Sequence, residues 1–96
     1  VPVRKAGKLP SLTHARTYDL EYGTATLEVQ RDAFQPGERV LIVDDVLATG
    51  GTVAATAALV REAGGDVVGC SVVIELVALG GRARLTGLDV HSLVTY

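Results

Sequence analysis

The stretch from Val40 to Thr52, VLIVDDVLATGGT, constrains the fold more than any other part of this chain. Val40, Leu41, Ile42 and Val43 are apolar at every position rather than at alternate ones, which is the pattern of a parallel strand covered by helices on both faces of a sheet. Asp44 and Asp45 end that run. Carboxylates are poor strand residues and costly to bury unpaired, so two in succession at the carboxyl end of a core strand mark a site rather than a packing solution. Ala48-Thr49-Gly50-Gly51-Thr52 then leads into an apolar-periodic helix. Small residues let an anion approach the backbone, glycines supply unusual dihedrals, threonine hydroxyls donate, and the helix amino terminus adds its positive end. The combination predicts a phosphate cradle. The alternative is a tight strand-to-helix turn in which Gly50, Gly51 and Thr52 serve geometry alone. G-x-x-x-x-G-K-[ST] is absent because no lysine precedes Thr52, G-x-G-x-x-G is absent too, and both usual nucleotide readings weaken accordingly. Two acids followed by such a loop suit a ligand with both a sugar diol and a phosphate: carboxylates accept from hydroxyls while amides hold the phosphate.

The rest of the chain reads as support. Val1 to Lys5 is a short strand, and Arg4, Lys5 and Lys8 surround the Ala6-Gly7 turn, where composition alone favours a solvated edge. Ser11 to Arg16 has no period and reads as loop, with no role for His14. From Tyr18 to Val29 apolar residues alternate on either side of Gly23-Thr24, a hairpin signal. Asp19 and Glu21 face away from its aromatic side, so Glu21 is either a charge on a wet edge or an acid presented to a site beneath. Pro36-Gly37 marks a turn. A helix is expected from Thr52, which doubles as its N-cap, to about Ala63, with Gly64-Gly65 as the stop. A second buried strand lies within Asp66 to Leu76, making a right-handed parallel crossover, and Glu75 at its end calls for a helix or loop partner. A short helical stretch runs from Gly80 toward Leu85, Gly87 ends it, and Val90 to Tyr96 is a last strand in which His91 is a packed or surface residue.

Ninety-six residues with 48% hydrophobic and 21% charged content suffice for one small domain, residues 1–96. A net charge of -2 supplies no basic field for nucleic acid. No run approaches the ~18 apolar residues of a membrane span, and no signal-peptide pattern opens the chain, so a soluble cytoplasmic protein without membrane association is expected. Cys70 is the single cysteine, hence no internal disulfide, and its apolar neighbours make it a core residue. No His/Cys/Asp/Glu set has metal-ligand spacing, which speaks against a dedicated zinc. Val1-Pro2-Val3 reads as a strand already in progress, as in a piece of a longer protein.

VLIVDDVLATGGT resembles the phosphoribosyl pyrophosphate (PRPP) signature of type I phosphoribosyltransferases. RKAGKLP from Arg4 to Pro10 and YDLEYGTATLE from Tyr18 to Glu28 narrow the resemblance to the adenine phosphoribosyltransferase family, and it runs through essentially the whole chain. The resemblance implies an α/β fold: a parallel sheet with flanking helices and a β-hairpin flap at about 17–30, incomplete at its amino terminus, where family members carry core strands and a hood over the base. It implies conversion of adenine and PRPP to AMP and pyrophosphate in purine salvage, with small-molecule partners only and a homodimer for the intact protein. By the same resemblance Asp44 and Asp45 hold the ribose hydroxyls, directly or through Mg²⁺. Ala48, Thr49, Gly50, Gly51 and Thr52 bind the 5'-phosphate, and Arg4, Lys5 and Lys8 face the pyrophosphate. Glu21 is the flap's acid/base and Tyr22 packs over the substrate or holds the hairpin together. Mg²⁺ is held mainly by PRPP near the two aspartates.

Two other classes compete. A non-catalytic PRPP-sensing regulator on the same fold would use the loop without needing Glu21. A phosphoacceptor signalling domain would explain Asp44-Asp45 but leave ATGGT without a task.

Overall fold

The apolar run from Val40 to Val43 is the middle of strand β4 (Arg39–Leu47), which pairs in parallel with β5 (Asp66–Glu75), itself parallel to β6 (Asp89–Thr95). The computed structural model of the chain describes residues 3–5, 13–20, 23–30 and 33–96. The sheet order β4-β5-β6 is that of an α/β parallel sheet, and helix α1 (Gly51–Glu62) makes the connection from β4 to β5. Strand β4 does not stop at Val43. It continues through Asp44, Asp45 and Val46 to Leu47, because its ladder with β5 persists to the pair Leu47↔Glu75. Cross-strand bonding outweighs the low strand propensity of the two acids.

A second sheet, order β1-β3-β2, contains β1 (Arg4–Lys5), β2 (Thr13–Leu20) and β3 (Gly23–Gln30). The expected hairpin is there, paired from Thr13↔Gln30 to Leu20↔Gly23. Two boundaries move. Thr13 to Arg16, expected as loop, belongs to β2, and Gly23-Thr24, expected as the turn, opens β3. The polar Thr-His-Ala-Arg segment has no alternation to advertise a strand. It is held in one by β3, whose Leu27 and Val29 are anchored on α1.

Helix α1 lies between the two sheets. Val53, Ala57 and Val60 pack with Ile42, Cys70, Val72 and Val90 of the parallel sheet, while Ala55 and Leu59 pack with Leu27 and Val29 of the hairpin sheet. A helix covered on both sides is apolar nearly all round, which is why its sequence shows a broad rather than a narrow apolar face. Gly64, at φ 94, and Gly65, whose N–H donates to the Val60 carbonyl at 2.9 Å, end it as expected. Leu59 is fully buried between helix and hairpin. Leu59→Ala should therefore cost about 3 kcal/mol, read as a lowered urea midpoint at unchanged slope; a loss under about 0.5 kcal/mol would mean that the hairpin sheet does not pack there in solution.

Cys70 is 1% exposed in the core, and burial, reinforced by the negative charge of Asp44, pushes its thiol above the ordinary range. It is an inert packing residue, as its setting in the sequence implied. His91 is exposed on β6. Among the described residues, the expectation of helices on both faces of the parallel sheet is met on one face only. Among the described residues Leu41, Val43, Val73 and Leu93 are 57%, 74%, 48% and 72% exposed. An apolar face of this kind favours association.

Candidate functional site

The loop after β4 is built around a single backbone requirement. Gly50 has φ 86 and ψ -1, the left-handed conformation that side-chain-bearing residues avoid, and this turn swings the chain from the strand end into α1. Gly50 is thus the N-cap, and Gly51 is the first helical residue. The expectation that Thr52 caps the helix is corrected: it lies one residue inside the helix, and no side chain bonds to the cap. The first intrahelical bond runs from the Ala54 N–H to the Gly50 carbonyl at 2.9 Å, and Thr56 Oγ1 donates to the Thr52 carbonyl at 2.8 Å. With no acid in the first turn and a glycine for a cap, the helix amino terminus keeps its positive end uncompensated by any carboxylate of its own. Gly50 is buried, Ala48 and Gly51 are half-buried, and Thr49 and Thr52 are exposed, so the threonines flank a loop whose glycines line its floor.

Asp44 and Asp45 sit inside the last part of β4 rather than after it. Alternation along the strand makes Asp44 half-buried and leaves Asp45 exposed. Each carboxylate accepts the backbone N–H that follows it: Asp45 N–H donates to Asp44 Oδ1 and Val46 N–H to Asp45 Oδ1, both at 2.8 Å. These bonds tether both carboxylates close to the strand. Asp44 also meets Thr52 in a groove of about 590 Å³ that runs along β4 beside Phe34, Ile42 and Thr56. Asp45 is not part of that lining, so the structure brings Asp44 and Thr52 together and directs Asp45 elsewhere.

Burial holds the Asp44 carboxyl above the usual carboxylate range, and the neighbouring charge of Asp45 adds to this against the opposing effect of the Asp45 N–H. A raised folded-state pKa means that the folded chain binds the proton more tightly than the unfolded chain does. Asp44's contribution is then most favourable below its unfolded pKa and declines as pH rises, reaching its least favourable above the raised pKa. Asp44→Asn should accordingly raise the melting temperature at neutral pH by a few degrees, with the gain shrinking to nothing in acid. Equal melting curves at pH 7 would show that Asp44 carries no such burden.

For the other expected site residues the description is partial. Arg4 and Lys5 form β1, opposite Glu28 and Leu27 of β3, so the backbone of this basic segment borders the hairpin sheet. Lys8, Glu21 and Tyr22 lie outside the described residues. Among the described residues no group of three or more His, Cys, Asp or Glu side chains could hold a metal ion, and no helix is long and apolar enough to cross a membrane.

One feature of the site has only a faint signal in the sequence. Two 3-10 turns follow β5, η1 (Val77–Leu79) and η2 (Gly81–Leu85); η2 abuts the loop with Gly81, and its Arg82 pairs with Glu75 at the end of β5. The expected partner for Glu75 is thereby found. The side-chain hydrogen bond and the Arg82 charge hold its carboxyl below the ordinary range. A glutamate ending a buried strand, followed by Gly-Gly-Arg, was the available signal.

Residues 10–89 match the family described as phosphoribosyl transferase domain. Over 95 residues the chain is 63% identical to an adenine phosphoribosyltransferase of Salinispora tropica, covering 99% of this chain and 50% of that protein. It is 59% identical to one of Desulfitobacterium hafniense, covering 100% and 56%. The chain spans about half the length of the curated relatives it matches. Among solved structures, the adenine phosphoribosyltransferase of Thermoanaerobacter pseudethanolicus superposes with a TM-score of 0.96 at 52% identity, covering 99% of this chain and 55% of that one. The Saccharomyces cerevisiae enzyme, complexed with an imino-altritol bisphosphate and adenine, superposes with a TM-score of 0.92 at 43% identity, covering 97% and 52%. A Trypanosoma brucei relative in complex with AMP, pyrophosphate and ribose-5-phosphate gives 0.84 at 26% identity, covering 97% and 44%.

Proposed function

Because the chain belongs to the phosphoribosyl transferase domain family, we propose that the intact protein transfers the phosphoribosyl group of PRPP to adenine, giving AMP and pyrophosphate. The observation that carries this reading is the groove shared by Asp44 of β4 and Thr52 in the first turn of α1, a helix that the left-handed Gly50 turn opens. Successive amides at a helix start suit a phosphate, and a carboxylate beside them suits the hydroxyls of the sugar bearing it. Proteins with adenine phosphoribosyltransferase names that match along the whole chain, and relatives solved with adenine, AMP, pyrophosphate and ribose-5-phosphate, support the substrates.

In this reading Ala48 to Thr52 hold the 5'-phosphate, with Thr49 and Thr52 donating from the exposed rim. Asp44 and Asp45 orient the ribose hydroxyls and put negative charge beside the anomeric carbon, where positive charge develops as the bond to pyrophosphate breaks. Asp45, directed away from the Asp44 groove, reaches the sugar from the other side of the strand or acts on Asp44 through charge. Arg4, Lys5 and Lys8 neutralise the departing pyrophosphate, the arginine by a planar fork and the lysines as point charges. Glu21 on the hairpin takes the purine proton, and Tyr22 beside it covers the base. The hairpin, residues 17–30, is the flap of a single domain whose phosphate loop spans residues 40–52.

Mg²⁺ fits the donors present. Adjacent carboxylates, one exposed and one raised in pKa by burial and by its neighbour's charge, suit a hard cation, and such ions take one or two carboxylates with the rest of their oxygens from substrate and water. The ion would be held mainly by PRPP, near Asp44 and Asp45, and when bound it would supply charge neutralisation at the pyrophosphate. The intact protein acts as a cytoplasmic homodimer, without nucleic-acid or membrane partners.

A panel of adenine, guanine, hypoxanthine and uracil, each offered with PRPP and Mg²⁺ to the full-length protein, tests the assignment. AMP should form, and no other nucleotide at a comparable rate. PRPP binding with no nucleotide product from any base would instead favour a PRPP-sensing regulator.

A further inference from the structure

The loop assigned to the 5'-phosphate is backed by an ion-pair clamp, buried at Glu75 and half-exposed at Arg82, to which the proposed reaction gives no task. Gly81 packs directly against that loop, backbone on backbone. A methyl group on Gly81 would fall against the Ala48 carbonyl and lie 3.0 Å from the Gly50 nitrogen, and a methyl on Gly50 would lie 2.6 Å from the Gly81 carbonyl oxygen. The Leu47 side chain closes the same spot, 3.1 Å from the Gly81 methyl, so Gly81 is hemmed in by backbone and core and a displacement of it passes to Ala48 and Gly50.

What fixes Gly81 is its neighbour. Arg82 Nε donates to Glu75 Oε2 at 3.1 Å and Nη2 to Oε1 at 2.6 Å, while Nη1 donates to the Val90 carbonyl at 2.8 Å. Glu75, only 6% exposed, also accepts from Ser92 Oγ at 3.0 Å. One guanidinium thus ties η2 to β5 and β6 together, and the fork geometry sets direction as well as distance. At the other end of η2, Leu85 is 3% exposed in the core. The turn that supports the loop is pinned at both ends, by packing at Leu85 and by charge at Arg82.

We propose that Arg82, oriented by Glu75 and Ser92, is a positioning residue for the phosphate loop: it seats Gly81 beneath Ala48 and Gly50 and so aims the loop amides at the 5'-phosphate. This rests on the reading of Ala48 to Thr52 as the phosphate cradle. A bond made equally in ground and transition state affects substrate affinity rather than turnover, so the signature is a split between the kinetic constants.

Full-length wild type, Arg82→Ala, Arg82→Lys and Glu75→Gln are titrated with ribose 5-phosphate by calorimetry and assayed for AMP formation. Arg84→Ala, exposed on the same turn, serves as control. Arg82→Ala should weaken ribose 5-phosphate binding and raise the KM for PRPP about tenfold, leaving kcat and the KM for adenine within about twofold. Glu75→Gln should behave similarly, Arg82→Lys should restore only part of the affinity because a point charge lacks the fork, and Arg84→Ala should match wild type. If Arg82→Ala does not fold, Ser92→Ala, which removes one bond to Glu75, should raise the KM for PRPP by a smaller factor of about three, in the same direction and with the same selectivity. Unchanged ribose 5-phosphate binding in the folded variant, or equal losses for PRPP and adenine, overturns the positioning role while the cradle stands. Absence of ribose 5-phosphate binding in wild type overturns the cradle itself, and this role with it.

Discussion

Alanine in place of Gly50 is expected to weaken ribose 5-phosphate binding to the full-length protein about 100-fold. Two independent physical effects act at this one position. The left-handed backbone at φ 86 costs a residue with a Cβ about 1–2 kcal/mol. The added methyl would also come within 2.6 Å of the Gly81 carbonyl oxygen, a backbone atom of a turn held by Arg82 and Leu85 that cannot rotate out of the way. The loop must therefore shift, and it carries the amides that would face the phosphate. Circular dichroism should show α1 intact, since the helix is packed between two sheets from Val53 to Val60. Calorimetry decides the matter. Affinity within a factor of about three of wild type would mean that the loop's conformation is not what holds the phosphate.

The second large effect is expected at Glu21. Under the proposed transfer, Glu21→Ala in the full-length protein should lower turnover of adenine by about 10²–10⁴-fold, the usual contribution of a positioned acid or base, while PRPP binding stays near wild type. Glu21→Gln should be nearly as slow, because the amide keeps the shape and loses the proton exchange. The pair of measurements separates two explanations of a slow variant. Loss of PRPP affinity along with turnover would make Glu21 a structural part of the hairpin, and full turnover in both variants would leave the base without a proton partner at this position.

The candidate site was more legible in the sequence than the limits of the elements that carry it. VLIV followed by Asp44-Asp45 and ATGGT announced strand, acids and loop because each residue type has a physical reason to be there, and the structure puts Asp44 and Thr52 on one groove. The strand's end was not legible, because low propensity at Asp44 and Asp45 was outweighed by the ladder with β5, which is a tertiary fact. The helix cap was misplaced for a related reason. Thr52 is a good N-cap by composition, but the left-handed turn falls at Gly50, and a sequence with two adjacent glycines does not say which one takes the positive φ. Thr13 to Arg16 became strand through pairing with β3, a contact that polar residues do not advertise. The bare face at Leu41, Val43, Val73 and Leu93 departs from the two-sided cover that an apolar β4 implies, and it agrees with a chain that spans half of its relatives. The Arg82–Glu75 pair could not be read at all beyond the need of Glu75 for a partner, since the link depends on where η2 folds back.

The most direct test of the central claim, that the end of β4 and the start of α1 hold a phosphorylated ribose, is a titration of ¹⁵N-labelled full-length protein with ribose 5-phosphate followed by amide shifts. The account predicts saturable shifts concentrated on Ala48 to Val53, with smaller ones at Asp44, Asp45 and Gly81. Saturable shifts confined to other parts of the protein, with the Gly50 and Gly51 amides unmoved, would contradict it.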